Sequence, residues 1–242
     1  MSRIEEEPGW ILHRRPWRET SLLIEYLGRD AGRVGLVARG ARAPRSAWRG
    51  LAEPFSPLSA AWTRRGEMGT LVTLESAGRR LVLAGRALWC GLYANELVLR
   101  LLPRDDPHTA IHDDYSRLIG ALAAGEQAQS ILLRRFELDL LTALGVAPDL
   151  QYEAVSGAEI RGSDLYRLDP EGGLIRVDRP GRSVFSGAVI QALRDGTGRD
   201  LDDMRQARMF MRELIDYHLG GRPLETRRLF RGEPNPGQGR KT

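Results

Sequence analysis

Five arginines carry the most explicit chemistry in this chain. Arg33, Arg39, Arg42, Arg45 and Arg49 follow one another with no carboxylate between Asp30 and Glu53. A guanidinium forks two donors onto phosphate oxygens, and several together displace condensed counterions from a polyphosphate. Either the segment grips nucleic-acid phosphates or it is a solvated basic loop, and charge alone does not choose between them. Trp48, inside the same run, either stacks a base or packs on the fold beneath it. For Trp10 and Trp17, near the first strand, core packing is the expectation.

Other constellations say less. His108 and His112 stand four apart beside Asp113 and Asp114, but Thr109 occupies the place of the glutamate in the zinc-helix motif, so a solvated helix face accounts for them. Asp105-Asp106, Asp113-Asp114 and Asp202-Asp203 suggest a two-metal nuclease; two of the pairs lie at expected helix starts, where capping is the simpler account. Arg134 and Arg135 have Glu137 and Asp139 close by as ordinary helix-surface partners. Lys241 is the only lysine, which excludes a Walker-type phosphate loop and Schiff-base chemistry. Cys90 stands alone in an apolar stretch, so it reads as a small buried hydrophobe. No catalytic residue, metal or cofactor is expected.

The elements that must position these groups fall into two halves. At 242 residues the chain has room for two small domains, and 42% hydrophobic with 28% charged residues is the composition of a folded globular protein. Net charge is only +4 although the pI is near 9.6, so the basic character is local. No run approaches the roughly 18 apolar residues that span a bilayer, and no leader-like apolar core is visible, so a cytoplasmic protein is expected.

From Gly9 to Leu74 five short apolar runs alternate with turn signals: Trp10 to His13, Ser21 to Tyr26, Val34 to Ala38, the Phe55 to Trp62 region, and Thr70 to Leu74. Five such strands in about 80 residues predict a partly open oligonucleotide-binding barrel. The period then becomes helical. Arg86 to Leu102 ends at Pro103; a second helix runs from Asp106-Pro107 to about Gly125; a third runs from about Ser130 to Leu144 and closes at Gly145. Leu165 to Leu168 and Leu174 to Val177 flank a turn and predict a hairpin within residues 150–182. Helices resume at about Gly187 to Arg194 and Asp203 to Leu219. The expected class is α+β: a barrel domain at 1–80, a helical domain with a hairpin insertion at 81–232, and a disordered tail at 233–242.

With these residues laid out, the chain resembles the RecO family of bacterial recombination mediators over nearly its whole length. The likeness rests on Leu12-His13-Arg14-Arg15-Pro16-Trp17-Arg18-Glu19-Thr20-Ser21, on Gly32-Arg33-Val34 with Val37 to Arg42, and on Pro54-Phe55-Ser56-Pro57-Leu58. It continues through Gly91-Leu92-Tyr93-Ala94-Asn95-Glu96-Leu97, Leu133-Arg134-Arg135-Phe136-Glu137-Leu138, and Gly220-Gly221-Arg222-Pro223-Leu224. The resemblance implies a protein that works without catalytic turnover. It would bind single- and double-stranded DNA, anneal complementary strands and, with RecR, help load RecA onto DNA covered by single-strand-binding protein. It also implies that Arg134, and less strongly Arg135, meet the acidic, phenylalanine-ended tail of single-strand-binding protein. Many members hold zinc with two cysteine pairs; here those positions fall near Glu153 and Ser156, and near Arg176 and Arg179. Zinc is therefore not expected, and packing alone should hold the hairpin.

Overall fold

The computed structural model describes residues 2–125, 127–197 and 201–232. The first five strands are β1 (Ser2–Trp17), β2 (Ser21–Gly28), β3 (Gly32–Ala38), β4 (Leu58–Arg64) and β5 (Gly69–Ser76). They close a barrel in the order β1-β2-β3-β5-β4, sealed by a short parallel pairing of β3 with β5 at Leu36–Gly69 and Val37–Thr70. Its interior is filled by Ile11, Ile24, Tyr26, Leu36, Leu58 and Trp62. The Tyr26 ring meets Trp62 edge-on at 6.1 Å, and its hydroxyl donates to the Glu7 carbonyl at 2.8 Å. A partner for that hydroxyl is what a buried phenol requires.

β1 is much longer than the run Trp10 to His13 expected from hydrophobic pattern. Register shifts between Ile4 and Glu7, and again between Ile11 and His13, let one strand pair with β4 through its first half and β2 through its second. Each bulge resets which residues face inward, so strict alternation never develops. The fourth strand begins at Leu58, not at Phe55; Phe55 sits at φ +64° and packs instead into the core of the helical half.

That half contains α1 (Gly85–Leu101), α2 (Thr109–Ala124), α3 (Gln129–Ala143), α4 (Gly187–Asp195) and α5 (Leu201–His218), followed by a 3-10 helix at Glu225–Gly232. Between α3 and α4, β6 (Leu165–Asp169), β7 (Gly173–Val177) and β8 (Val184–Ser186) form a three-stranded sheet in the order β7-β6-β8. The predicted hairpin is thus β6-β7, with a third strand added. Packing is not all that holds this region. The Glu153 carboxylate accepts from the Val155 amide at 3.0 Å, the Ser156 amide at 2.5 Å and the Ser156 hydroxyl. The expected tail at 233–242 lies outside the described residues.

Barrel and helices share one hydrophobic core. Trp10, Leu12, Leu27 and Phe55 of the barrel half cluster with Tyr93, Leu97, Tyr115 and Phe136 of the helices. Polar groups in the seam are paired: Asn95 donates its side-chain amide to the Leu12 carbonyl at 2.8 Å and accepts from the Tyr115 hydroxyl at 2.6 Å. The Trp10 indole donates to Ser116 at 2.8 Å. Gly32, at φ +68°, lies so close to the linker between α1 and α2 that a Cβ would stand 2.2 Å from the Asp106 carbonyl oxygen. Only glycine meets both demands.

Candidate nucleic-acid interface

Residues 39–57 leave β3 as a succession of turns. The first part runs along the β1–β2 turn: the Arg42 amide donates to the Thr20 carbonyl at 2.7 Å, and the Arg42 guanidinium reaches the Arg18 carbonyl at 3.5 Å. Gly40 at φ +71° and Gly50 at φ +78° bend the chain where other residues would be strained. Arg39, Arg42, Arg45 and Arg49 are all exposed, as are Arg15 and Arg18 at the end of β1 and in its turn. Among the described residues none of these six guanidiniums pairs with a carboxylate. Neighbouring Arg14 does, to Glu53 at 2.5 Å.

Arg33, the first of the five arginines, belongs to a different arrangement. It donates to Glu25 at 3.0 Å and to the Leu102 carbonyl at 2.8 Å, leaving its side chain only 15% exposed. Arg104, from the linker after α1, binds the same Glu25 carboxylate, and Arg64 clasps Asp105 with two bonds, one at 2.7 Å. Together these groups tie the barrel to the helical half. The Arg64 guanidinium, through those hydrogen bonds, holds the Asp105 carboxyl below the ordinary aspartate value.

The tryptophans separate as well. Trp10 is buried, as expected, and Trp48 is half-buried against the barrel core. Trp17 departs from the core-packing expectation: it stands 40% exposed at the end of β1. Nearness to the first strand predicts a core position, but the bulge and the turn carry Trp17 to the rim. Arg15, Trp17 and Arg18 join the exposed candidate surface that charge counting within residues 33–49 passes over; the basic run Arg14-Arg15 and Arg18 is the available signal.

A second site lies where α3, α4 and α5 meet. Ile131, Ala192, Leu193, Met204 and Ala207 line the apolar part of a small slot, whose polar lining is Arg134, Arg135, Thr197 and Asp203. Arg134 donates to Glu137 at 2.5 Å, and that carboxylate, 1% exposed, also accepts from the Tyr93 hydroxyl at 2.6 Å. Burial pushes the Glu137 carboxyl up from its ordinary value, against the pull of the Arg134 charge. Arg135 pairs with Asp139 at 2.9 Å but remains 52% exposed. The slot therefore has a deep cation already engaged and an outer cation open to solvent.

The histidines and paired aspartates have other partners. α2 starts at Thr109, so His108 precedes it and does not share a helical face with His112. His108 contacts Asp106 at 3.1 Å and His112 contacts Asp113 at 3.0 Å. Asp105 and Asp106 do not cap α2, and Asp114 pairs with Arg117 at 2.8 Å. Of Asp202-Asp203, the Asp202 side chain lies outside the described residues. Among the described residues no three His, Cys, Asp or Glu side chains gather as a metal site requires.

A closed five-stranded barrel with an unpaired arginine rim, backed by helices, defines a protein of the oligonucleotide-binding-fold class. The family model described as Recombination protein O N terminal matches residues 1–79, and Recombination protein O C terminal matches residues 83–228. The chain is 41% identical over 233 residues to the DNA repair protein RecO of Azoarcus sp. (strain BH72), covering 94% of this chain and 96% of that one. It is 43% identical over 233 residues to the DNA repair protein RecO of Alkalilimnicola ehrlichii, covering 95% and 92%, and 40% identical over 235 residues to that of Halorhodospira halophila, covering 96% and 98%. The chain belongs to the RecO family, and a role in DNA repair and recombination follows from that membership. Among the described residues no helix is long and apolar enough to cross a membrane.

Proposed function

We propose that this protein is a non-catalytic recombination mediator. It binds single- and double-stranded DNA through the barrel rim and anneals complementary strands. With RecR it helps load RecA onto DNA covered by single-strand-binding protein, at the nucleoid. The observation that carries DNA binding is the group of six exposed arginines, Arg15, Arg18, Arg39, Arg42, Arg45 and Arg49, with no carboxylate on any of them among the described residues. A guanidinium committed to a protein carboxylate has little left for phosphate; among the described residues none of these six is so committed, and Arg42 and Arg49 make only long 3.5 Å bonds to the Arg18 and Pro44 carbonyls.

The slot at Arg134 and Arg135 supports the second part of the reading. A short acidic tail ending in an aromatic residue needs an apolar recess beside a cation, and the slot offers both. The half-exposed Arg135 meets the tail's carboxylates first, with Arg134 beneath it.

The test is binding of labelled oligonucleotide across salt concentrations. Replacing Arg39, Arg42, Arg45 and Arg49 together by alanine is expected to lower affinity and to reduce the log-log salt slope by about 3, at roughly 0.7 per lost contact on a single strand. Wild-type affinity and slope in that variant would remove the barrel rim as the DNA surface.

A further inference from the structure

The outer face of the barrel rim carries an aromatic ring as well as charge. Trp17 pairs with Ser21 across β1 and β2, and Leu22, the next residue, pairs with Ala38 on β3. Arg39, the first residue past β3, therefore follows the Leu22–Ala38 pair on the side of Ser21, and the Trp17–Ser21 row runs toward it over roughly 10 Å, two strand spacings. One row further along, Arg15 pairs with Leu23 and Leu23 with Val37. Side chains alternate along a strand, so the two rows face the same way, opposite to Leu22, Ile24, Leu36 and Ala38 in the barrel core. The resulting surface has a half-buried apolar floor at Leu23 and Val37, arginines at its margins, and one indole standing on it.

That indole is unemployed in the fold. Trp10, Trp62 and Trp89 each meet another aromatic ring, at 5.6, 6.1 and 6.0 Å, and Trp48 packs on the barrel core. Trp17, 40% exposed, has neither a ring partner nor a hydrogen bond among the described residues. Its neighbour Ser21 is too small to cover the ring. Beyond Gly9, where β4 pairing ends, β1 pairs only with β2 among the described residues. An exposed apolar ring suits either an apolar protein partner or a nucleobase; arginines at 15, 18 and 39 on its flanks favour the ligand that has phosphates.

We propose that Trp17 is a stacking platform for unpaired bases, so that this face holds single strands by base contact while the 39–49 loop holds their phosphates. The proposal rests on the barrel rim being the DNA surface, and it adds the residue by which that surface tells single strands from duplex. In a duplex the base faces are stacked inside and unavailable; the indole therefore discriminates by strandedness, whereas the arginines do not. Every base has a π-face, so the preference is for unpaired strands and not for a sequence.

Trp17→Ala, Trp17→Leu and Trp17→Phe are to be compared by fluorescence anisotropy on labelled oligothymidine and on a labelled hairpin duplex. Alanine and leucine are expected to weaken oligothymidine binding by roughly 5- to 150-fold, with duplex binding and the salt slope close to wild type, and phenylalanine to restore most of the loss. Leucine keeps the apolar bulk, so a loss shared by alanine and leucine but recovered by phenylalanine marks an aromatic contact. The idea is overturned if alanine and leucine leave oligothymidine affinity unchanged, or if single-strand and duplex affinity fall together. The quadruple arginine variant separates the two readings. A rim that binds no DNA is silent in every variant, whereas a rim without base stacking responds to the arginines and not to Trp17.

Discussion

Arg33 stands on the outer face of β3 and Arg39 just past its end, and a carboxylate on the next strand sends them to different work. Leu27 pairs with Arg33 and Glu25 with Gly35, so Glu25 is the diagonal neighbour of Arg33, within reach of a long side chain. Sequence shows how many cations a run contains, but not which anion folding brings beside each, because Glu25 looks remote until the strands pair. Arg33→Ala is therefore expected to leave the salt slope of DNA binding at its wild-type value while lowering stability by about 1–3 kcal/mol, read from urea unfolding. Arg134 presents the same distinction more sharply. Its removal strands the buried Glu137 carboxylate, at a cost of about 3–5 kcal/mol. Adding Glu137→Gln should recover much of that loss in urea unfolding, because the stranded charge is gone. Weak tail binding by Arg134→Ala alone would not identify a contact; Arg135→Ala, at a half-exposed site, is the cleaner probe.

Elements with their own periodicity were legible in the sequence, and those made by distant pairing were not. Leu132, Phe136 and Leu140 recur every four residues, and the third helix follows from them. β8 is three residues long and exists because Val184 to Ser186 lies against β6, a fact no local pattern contains. The 3-10 helix after α5 is similar: Glu96 on α1 accepts the amides of Glu225 and Thr226, both at 2.9 Å, and so caps an element far along the chain. The turn at Glu153 is a third case. Its carboxyl is held below the ordinary glutamate value by the Ser156 hydroxyl and then by neighbouring amides. A group lowered in the folded state stabilises it above the unfolded pKa and loses that effect as pH falls through the folded value. Glu153→Gln should thus melt several degrees below wild type at neutral pH, and the gap should close on acidification below the usual glutamate range. A gap that stays constant with pH in thermal melts would refute the ionised carboxylate as the staple.

At the scale of the molecule, the barrel and the helices are expected to unfold as one cooperative body, because the seam is both apolar and hydrogen-bonded. Asn95→Ala leaves the Leu12 carbonyl and the Tyr115 hydroxyl without partners in a dry interior, an expected loss of about 2–4 kcal/mol. Guanidinium unfolding followed by circular dichroism and by tryptophan fluorescence should shift together and remain a single transition; two separated transitions would show halves that fold independently. The two-part organisation was readable from the change of period near Gly85. The seam was not, since Trp10, Leu12 and Leu27 look like barrel residues until α1 and α2 are laid on them. The choice of basic residue also reaches beyond the fold. Among the described residues all the positive side chains on the rim are arginine, and the single lysine of the sequence, Lys241, lies outside them. Acetylation, which silences many DNA-binding surfaces by neutralising amines, has no target among the described residues of this one. Alkaline pH cannot discharge it either, so ionic strength and rival polyanions are left to govern how firmly it holds.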